Sequence, residues 1–126
     1  MTKRTLVLWL AGFFLLTGCT ENQKSVEVPK PSPNQIEFAE AALPSDEALK
    51  DIYARSCQSC HSVYGMNAPL TGHKAGWAPR FEKKGIDGLV ASTKSGIRAM
   101  PAMGLCRDCS DADFEALINF MAGESN

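Results

Sequence analysis

The sequence predicts an all-α domain of about four short helices, and three observations carry the prediction. Apolar residues recur at helical spacing in two stretches, Leu49/Ile52/Tyr53 and Phe114/Leu117/Ile118/Met121. Glycine and proline punctuate the region between them, at Gly65, Pro69, Gly72, Gly76, Pro79 and Gly85. No stretch alternates apolar and polar residues as a half-buried strand does.

The chain opens on Lys3 and Arg4, followed by an uncharged apolar run of 11 residues, 6–16. A spanning helix needs about 20 residues, so the run reads as the apolar part of a secretory signal. The next residues, "LTGC" at 16–19, resemble the bacterial lipoprotein lipobox, whose cysteine becomes the lipidated first residue of the mature chain. That implies a signal peptide over 1–18 and lipidation of Cys19; an ordinary signal with a chance cysteine is the plainer alternative. Loss of Lys3 and Arg4 leaves 11 basic against 14 acidic residues, a net charge of −3. This is not the balance of a nucleic-acid-binding protein.

Residues 19–42 follow as the lipidated N-terminus and a flexible tether. They are mostly polar and hold Pro29, Pro31 and Pro33 in "VPKPSPN". Such a segment reaches about 70 Å extended and roughly 26 Å on average as a coil.

The domain proper is expected over 43–126. Its first helix is capped by Ser45 after Pro44, with Asp46 and Glu47 near the positive end of the dipole, and runs into Cys57. A second passes through Arg80, Phe81 and Lys83, and a third from Asp87 through Leu89 and Val90 to Lys94, stopped by Gly96. The last begins at the S-x-x-D pair Ser110 and Asp113 and ends at Gly123. So few helices make a thin core, and domains of this size depend on a metal, a cofactor or disulfides.

The chemistry is concentrated in "CQSCH", Cys57, Cys60 and His61. C-x-x-C-H is the attachment signature of c-type haem: two thiols at that spacing reach two vinyl groups, and the next residue supplies the proximal imidazole. Three rivals use the same residues. Zinc held by Cys57, Cys60, Cys106 and Cys109 has 45 residues between its pairs, longer than the usual ribbon spacing. A thioredoxin-like pair belongs to a strand–helix fold not visible here. A plain disulfide between Cys57 and Cys60 leaves His61 unexplained.

One histidine leaves the iron's other face open, and thioether sulfur is a common second ligand in electron carriers. Of the 5 methionines, Met1 is removed with the signal and Met121 belongs to the last apolar stripe. Met66 lies 5 residues after His61, too near to cross the ring. Met100 and Met103 remain. Pro101 stiffens the backbone around Met100, whereas Gly104 loosens it after Met103. His73 is a further possible ligand, read as an exposed loop residue.

These features together resemble a class I cytochrome c. They are a helix into "CQSCH", a loop with "APLTG", then "WAPRF", "AMP" and an amphipathic final helix. The "AMPxxGxCxDCSDxx" arrangement is closest to cytochrome c5, and the likeness covers about residues 43–123. It implies one haem c held by Cys57 and Cys60, with His61 and Met100 as axial ligands. It also implies a disulfide between Cys106 and Cys109, closing a small ring between the ligand loop and the final helix. Pro69 maps to the proline whose carbonyl accepts from the proximal histidine. Trp77 and Arg80 map to donors near the haem propionates. Met103 departs from the pattern, which needs no second methionine there.

Six-coordinate iron has no open position for oxygen or peroxide. The expected function is therefore a mono-haem one-electron carrier in a periplasmic or membrane-associated chain, not an enzyme. The expected partners are redox proteins and, through the lipid anchor, a membrane; no nucleic acid or small-molecule substrate is expected. A haem enzyme or sensor with a labile sixth ligand, and a thiol oxidoreductase using Cys106 and Cys109, are the alternatives. The lipobox implies a lipid-anchored protein facing the periplasm, and Thr20 after Cys19 favours the outer membrane.

Overall fold

The structure is a computed structural model and describes residues 27–124. The signal segment, the lipobox and Cys19 lie outside the described residues. The helices are α1 Pro33–Ala41, α2 Glu47–Ile52, α3 Gln58–His61, α4 Lys74–Ser95 and α5 Asp111–Ala122. A π-helical stretch, Tyr53–Cys57, joins α2 to α3, so residues 47–61 form one continuous helix. The fold is all-α as expected; among the described residues the only extended pairing is a bridge between Ile97 and Met100.

The region expected to be tether up to residue 42 contains α1, which corrects that reading. Ser32 and Gln35 form a reciprocal capping box, and Pro33 occupies the first turn, where its missing N–H costs nothing. Ala39 is fully buried. The ring of Phe38 lies over Gly72, leaving no room there for a Cβ. Proline-rich composition suggested a coil; one proline at the right helical position starts a helix instead.

The next helix is capped one residue later than expected. The Asp46 carboxylate accepts from Leu49 N at 2.9 Å, in place of the Ser45 hydroxyl. The π turn then adds a residue before Cys57, as such bulges do at functional sites.

α4 contains both middle helices predicted from sequence, separated where Gly85 adopts φ 63° and ψ 176°. It starts earlier than expected and passes through Pro79, which reads as a loop marker in sequence. Arg80, the next residue, folds back so that its guanidinium donates to the Gly76 carbonyl.

α5 begins and ends where its signals predict. Ser110 and Asp113 form the capping box, and Gly123 closes the helix in the left-handed region. α5 packs chiefly on α4. Leu89 and Val90 of α4 meet Phe114, Leu117, Ile118 and Met121 of α5, with Tyr53 and Trp77 completing the core. Tyr53 meets Phe120 edge to face, with ring centres 5.1 Å apart.

Candidate haem-binding site

The site is organised by a short loop, residues 69–72, whose backbone is almost fully committed. The Pro69 carbonyl lies 2.8 Å from His61 Nδ1. The Leu70 carbonyl accepts from Trp77 Nε1 at 3.0 Å. Thr71 N donates to the His61 carbonyl at 2.8 Å, and Gly72 N to the Met121 carbonyl at 2.7 Å. The Thr71 hydroxyl pairs with Tyr53 Oη at 2.9 Å. This loop thus ties the attachment helix, α4 and α5 together behind one imidazole.

Because a carbonyl only accepts, His61 carries a hydrogen on Nδ1, so in the neutral ring Nε2 is the nitrogen with a lone pair to offer. Burial pushes the His61 pKa down, the Pro69 hydrogen bond pushes the other way, and the Arg80 charge adds to the lowering. The ring is held neutral and aimed, as a metal-ligating imidazole must be. Trp77 stacks beside it at 5.8 Å, 23° from parallel.

His61 opens onto a cavity of about 360 Å³, whose lining also includes Pro69, Trp77, Arg80 and Met100. Five of the residues singled out in the sequence therefore meet around one space. Cys57 and Cys60 do not line it; they are half-buried free thiols on the helical segment that carries His61. Burial, partly offset by Arg55, pushes the Cys57 thiol up to about 11.

Met103 is not among the lining residues; it packs against the core. Met121 does line the cavity, although its place in the α5 stripe suggested a purely core role. His73 is buried just before α4, not exposed, and does not line the cavity. Trp77 corrects the expectation that its N–H serves a propionate, since that hydrogen is given to Leu70. Val28, Thr93 and Arg98 also border the cavity. No motif marks them; the turn and helix geometry that brings them there is tertiary.

Cys106 and Cys109 form a disulfide, with Cα atoms 5.4 Å apart. Arg55 donates to both carboxylate oxygens of Asp108 within this ring, at 3.2 and 3.1 Å. This pair joins the helical segment 47–61 to the disulfide ring that follows Met100.

A family model described as "Cytochrome C oxidase, cbb3-type, subunit III" matches residues 44–121. Cytochrome c5 of Azotobacter vinelandii is 45% identical over 58% of this chain and 89% of its own length. Cytochrome c5 of Ectopseudomonas mendocina is 42% identical over 58% of this chain and 85% of its own. The chain belongs to the cytochrome c5 family. Cytochrome c-555 of Chlorobaculum tepidum is 37% identical over 62% of this chain and 75% of its own. A structure titled as an electron transfer complex of nitrite reductase with cytochrome c matches with a TM-score of 0.53. That match is 33% identical and covers 68% of this chain and 100% of the other.

As a class I c-type cytochrome, the protein carries covalent haem c. Its cavity fits that group on chemical grounds. It offers an imidazole with one free nitrogen, a thioether sulfur from Met100, and apolar walls from Leu89 and Ile118. Arg80, Lys83, Lys84 and Arg98 supply positive charge for a dianionic edge.

Proposed function

We propose that this cytochrome is a mono-haem one-electron carrier, with thioether links at Cys57 and Cys60 and axial ligation by His61 and Met100. The observation that carries the ligand assignment is the meeting of His61, held by Pro69, and Met100 in one cavity. Haem c supplies a reversible Fe(III)/Fe(II) couple. The chain's own residues hold the imidazole neutral, wall off water with apolar side chains, and present the sulfur from a loop pinned at both ends. The Cys106–Cys109 disulfide pins one end of that loop and Gly96 the other, where a Cβ would meet Ala102 N at 2.9 Å. A role as carrier, not enzyme, is supported by this two-ligand arrangement and by a disulfide engaged in structure.

The partners proposed are redox proteins that dock transiently, as small electron-transfer interfaces do. The proposed location is outside the cytoplasm, anchored by lipid on Cys19 and facing the periplasm, with the outer membrane favoured. Among the described residues no helix is long and apolar enough to cross a membrane. Absorption spectra of the haem-loaded protein, oxidised and reduced, with carbon monoxide added to the reduced form, test the ligand assignment. Low-spin spectra indifferent to carbon monoxide are expected, and conversion to a carbon monoxide adduct in the Met100→Ala variant. Ready binding in the unaltered protein would refute a closed sixth position and favour an enzyme or sensor.

A further inference from the structure

The cavity lining contains four cations, Arg80, Lys83, Lys84 and Arg98, and no carboxylate. Among the described residues neither Arg80 nor Arg98 takes part in an ion pair. The two guanidinium groups are close enough to disfavour each other: burial and then the Arg98 charge hold Arg80 below its ordinary range. Two like charges at the rim of an apolar cavity favour an anion placed between them.

Arg98 is also placed at a conformational cost. Residues 97–100 form a tight turn closed by two hydrogen bonds of 3.0 Å between Ile97 and Met100. Arg98 is the first central residue of this turn, at φ 56°, a position where glycine is favoured. A non-glycine residue kept in that conformation is a reason to ask what its side chain does. Arg98 is exposed and borders the rim of the cavity, two residues before Met100.

We propose that Arg98 pairs with a carboxylate of haem c, forming with Arg80 a two-guanidinium clamp that anchors the Met100 loop to the cofactor. The inference rests on the haem-carrier reading above. A planar guanidinium matches a carboxylate through two parallel hydrogen bonds, which a lysine cannot reproduce. The pairing also fixes a positive charge near the iron. One electron lowers the charge on the iron by one, so a fixed cation favours the reduced state.

The test uses haem-loaded Arg98→Gln, Arg98→Lys and Arg98→Gly, with spectroelectrochemical midpoints and urea unfolding of each. The Gln variant is expected to lose roughly fivefold in the equilibrium constant for reduction, the size of a partly screened unit-charge interaction. The Lys variant should restore the midpoint, which reads the charge, but not the unfolding stability, which reads the paired guanidinium; full recovery of both would overturn the clamp. The Gly variant should lower the midpoint as Gln does while gaining backbone ease, so its unfolding should be less impaired than that of Gln. Gln and Gly variants with the unaltered midpoint would overturn the clamp. Pyridine haemochrome spectra of the denatured proteins report covalent haem independently. Their absence in the unaltered protein would overturn both readings; their presence with unchanged midpoints would overturn the clamp alone.

Discussion

The hydroxyl pair between Tyr53 and Thr71 offers a sharp test of how the imidazole is held. Both residues are completely buried, and their oxygens are 2.9 Å apart. Tyr53→Phe removes one hydroxyl and leaves Thr71 Oγ1 without its partner in a site closed to water. An orphaned buried hydroxyl costs about 1–3 kcal/mol, whereas a satisfied pair contributes only about 0.5–1.5 net. Thr71→Val, which keeps the shape and the Thr71 N–H bond to the His61 carbonyl, should cost a similar amount for the converse reason. The double variant removes both hydroxyls and should cost clearly less than the two single losses added together. Urea unfolding of the haem-loaded proteins, followed by far-ultraviolet circular dichroism, gives the four free energies of the cycle. Strict additivity, or a Tyr53→Phe loss under about 0.5 kcal/mol, would refute the reasoning. There is an alkaline corollary. Burial raises the Tyr53 pKa above its ordinary 10.0, opposed by the Thr71 bond. The folded state therefore holds the phenol proton more tightly than the unfolded chain. That contribution is complete below pH 10.0 and declines as pH rises through the folded value. The unaltered protein should lose its advantage over Tyr53→Phe there.

Two further outcomes follow from the ligand loop. Gly96→Ala places a Cβ 2.9 Å from Ala102 N and 3.1 Å from the Met100 carbonyl, in a φ +80° conformation; the backbone alone should cost about 1–3 kcal/mol. Faster carbon monoxide binding to the reduced variant should accompany that loss in urea unfolding. Replacing both Cys106 and Cys109 with alanine opens a ring of about four residues and should cost on the order of 2 kcal/mol. Thermal unfolding of the haem-loaded variant reads that cost. An unchanged midpoint of unfolding would mean that the ring does not restrain the unfolded chain.

Much of this cytochrome was legible in its sequence because the signals are local. "CQSCH" carries haem chemistry within five residues. The α5 stripe, its Ser110–Asp113 cap and the Gly123 stop each act within a few residues of chain, and the structure repeats them. "AMP" marks a stiff methionine from the backbone preferences of proline alone. Segments whose local signals compete were read less well. Pro33 signals a coil in bulk composition and a helix start at one position. Asp46 and Ser45 are both good caps, and only the chain path chooses.

The tertiary structure decided the partners. The Trp77 N–H is a free donor in any sequence reading. It goes to the Leu70 carbonyl because the loop at 69–72 returns beneath α4. Tyr53 and Thr71 lie 18 residues apart, and nothing in either residue's neighbourhood names the other. Met121 borders the cavity as well as the core because one face of α5 serves both. Arg98 is an ordinary surface cation in sequence, and a cavity residue only because its turn adopts a glycine-like backbone. Composition and periodicity determine which groups exist and which segments coil into helices. Which donor meets which acceptor depends on how those helices pack, and that is settled only when the whole chain buries its apolar faces together.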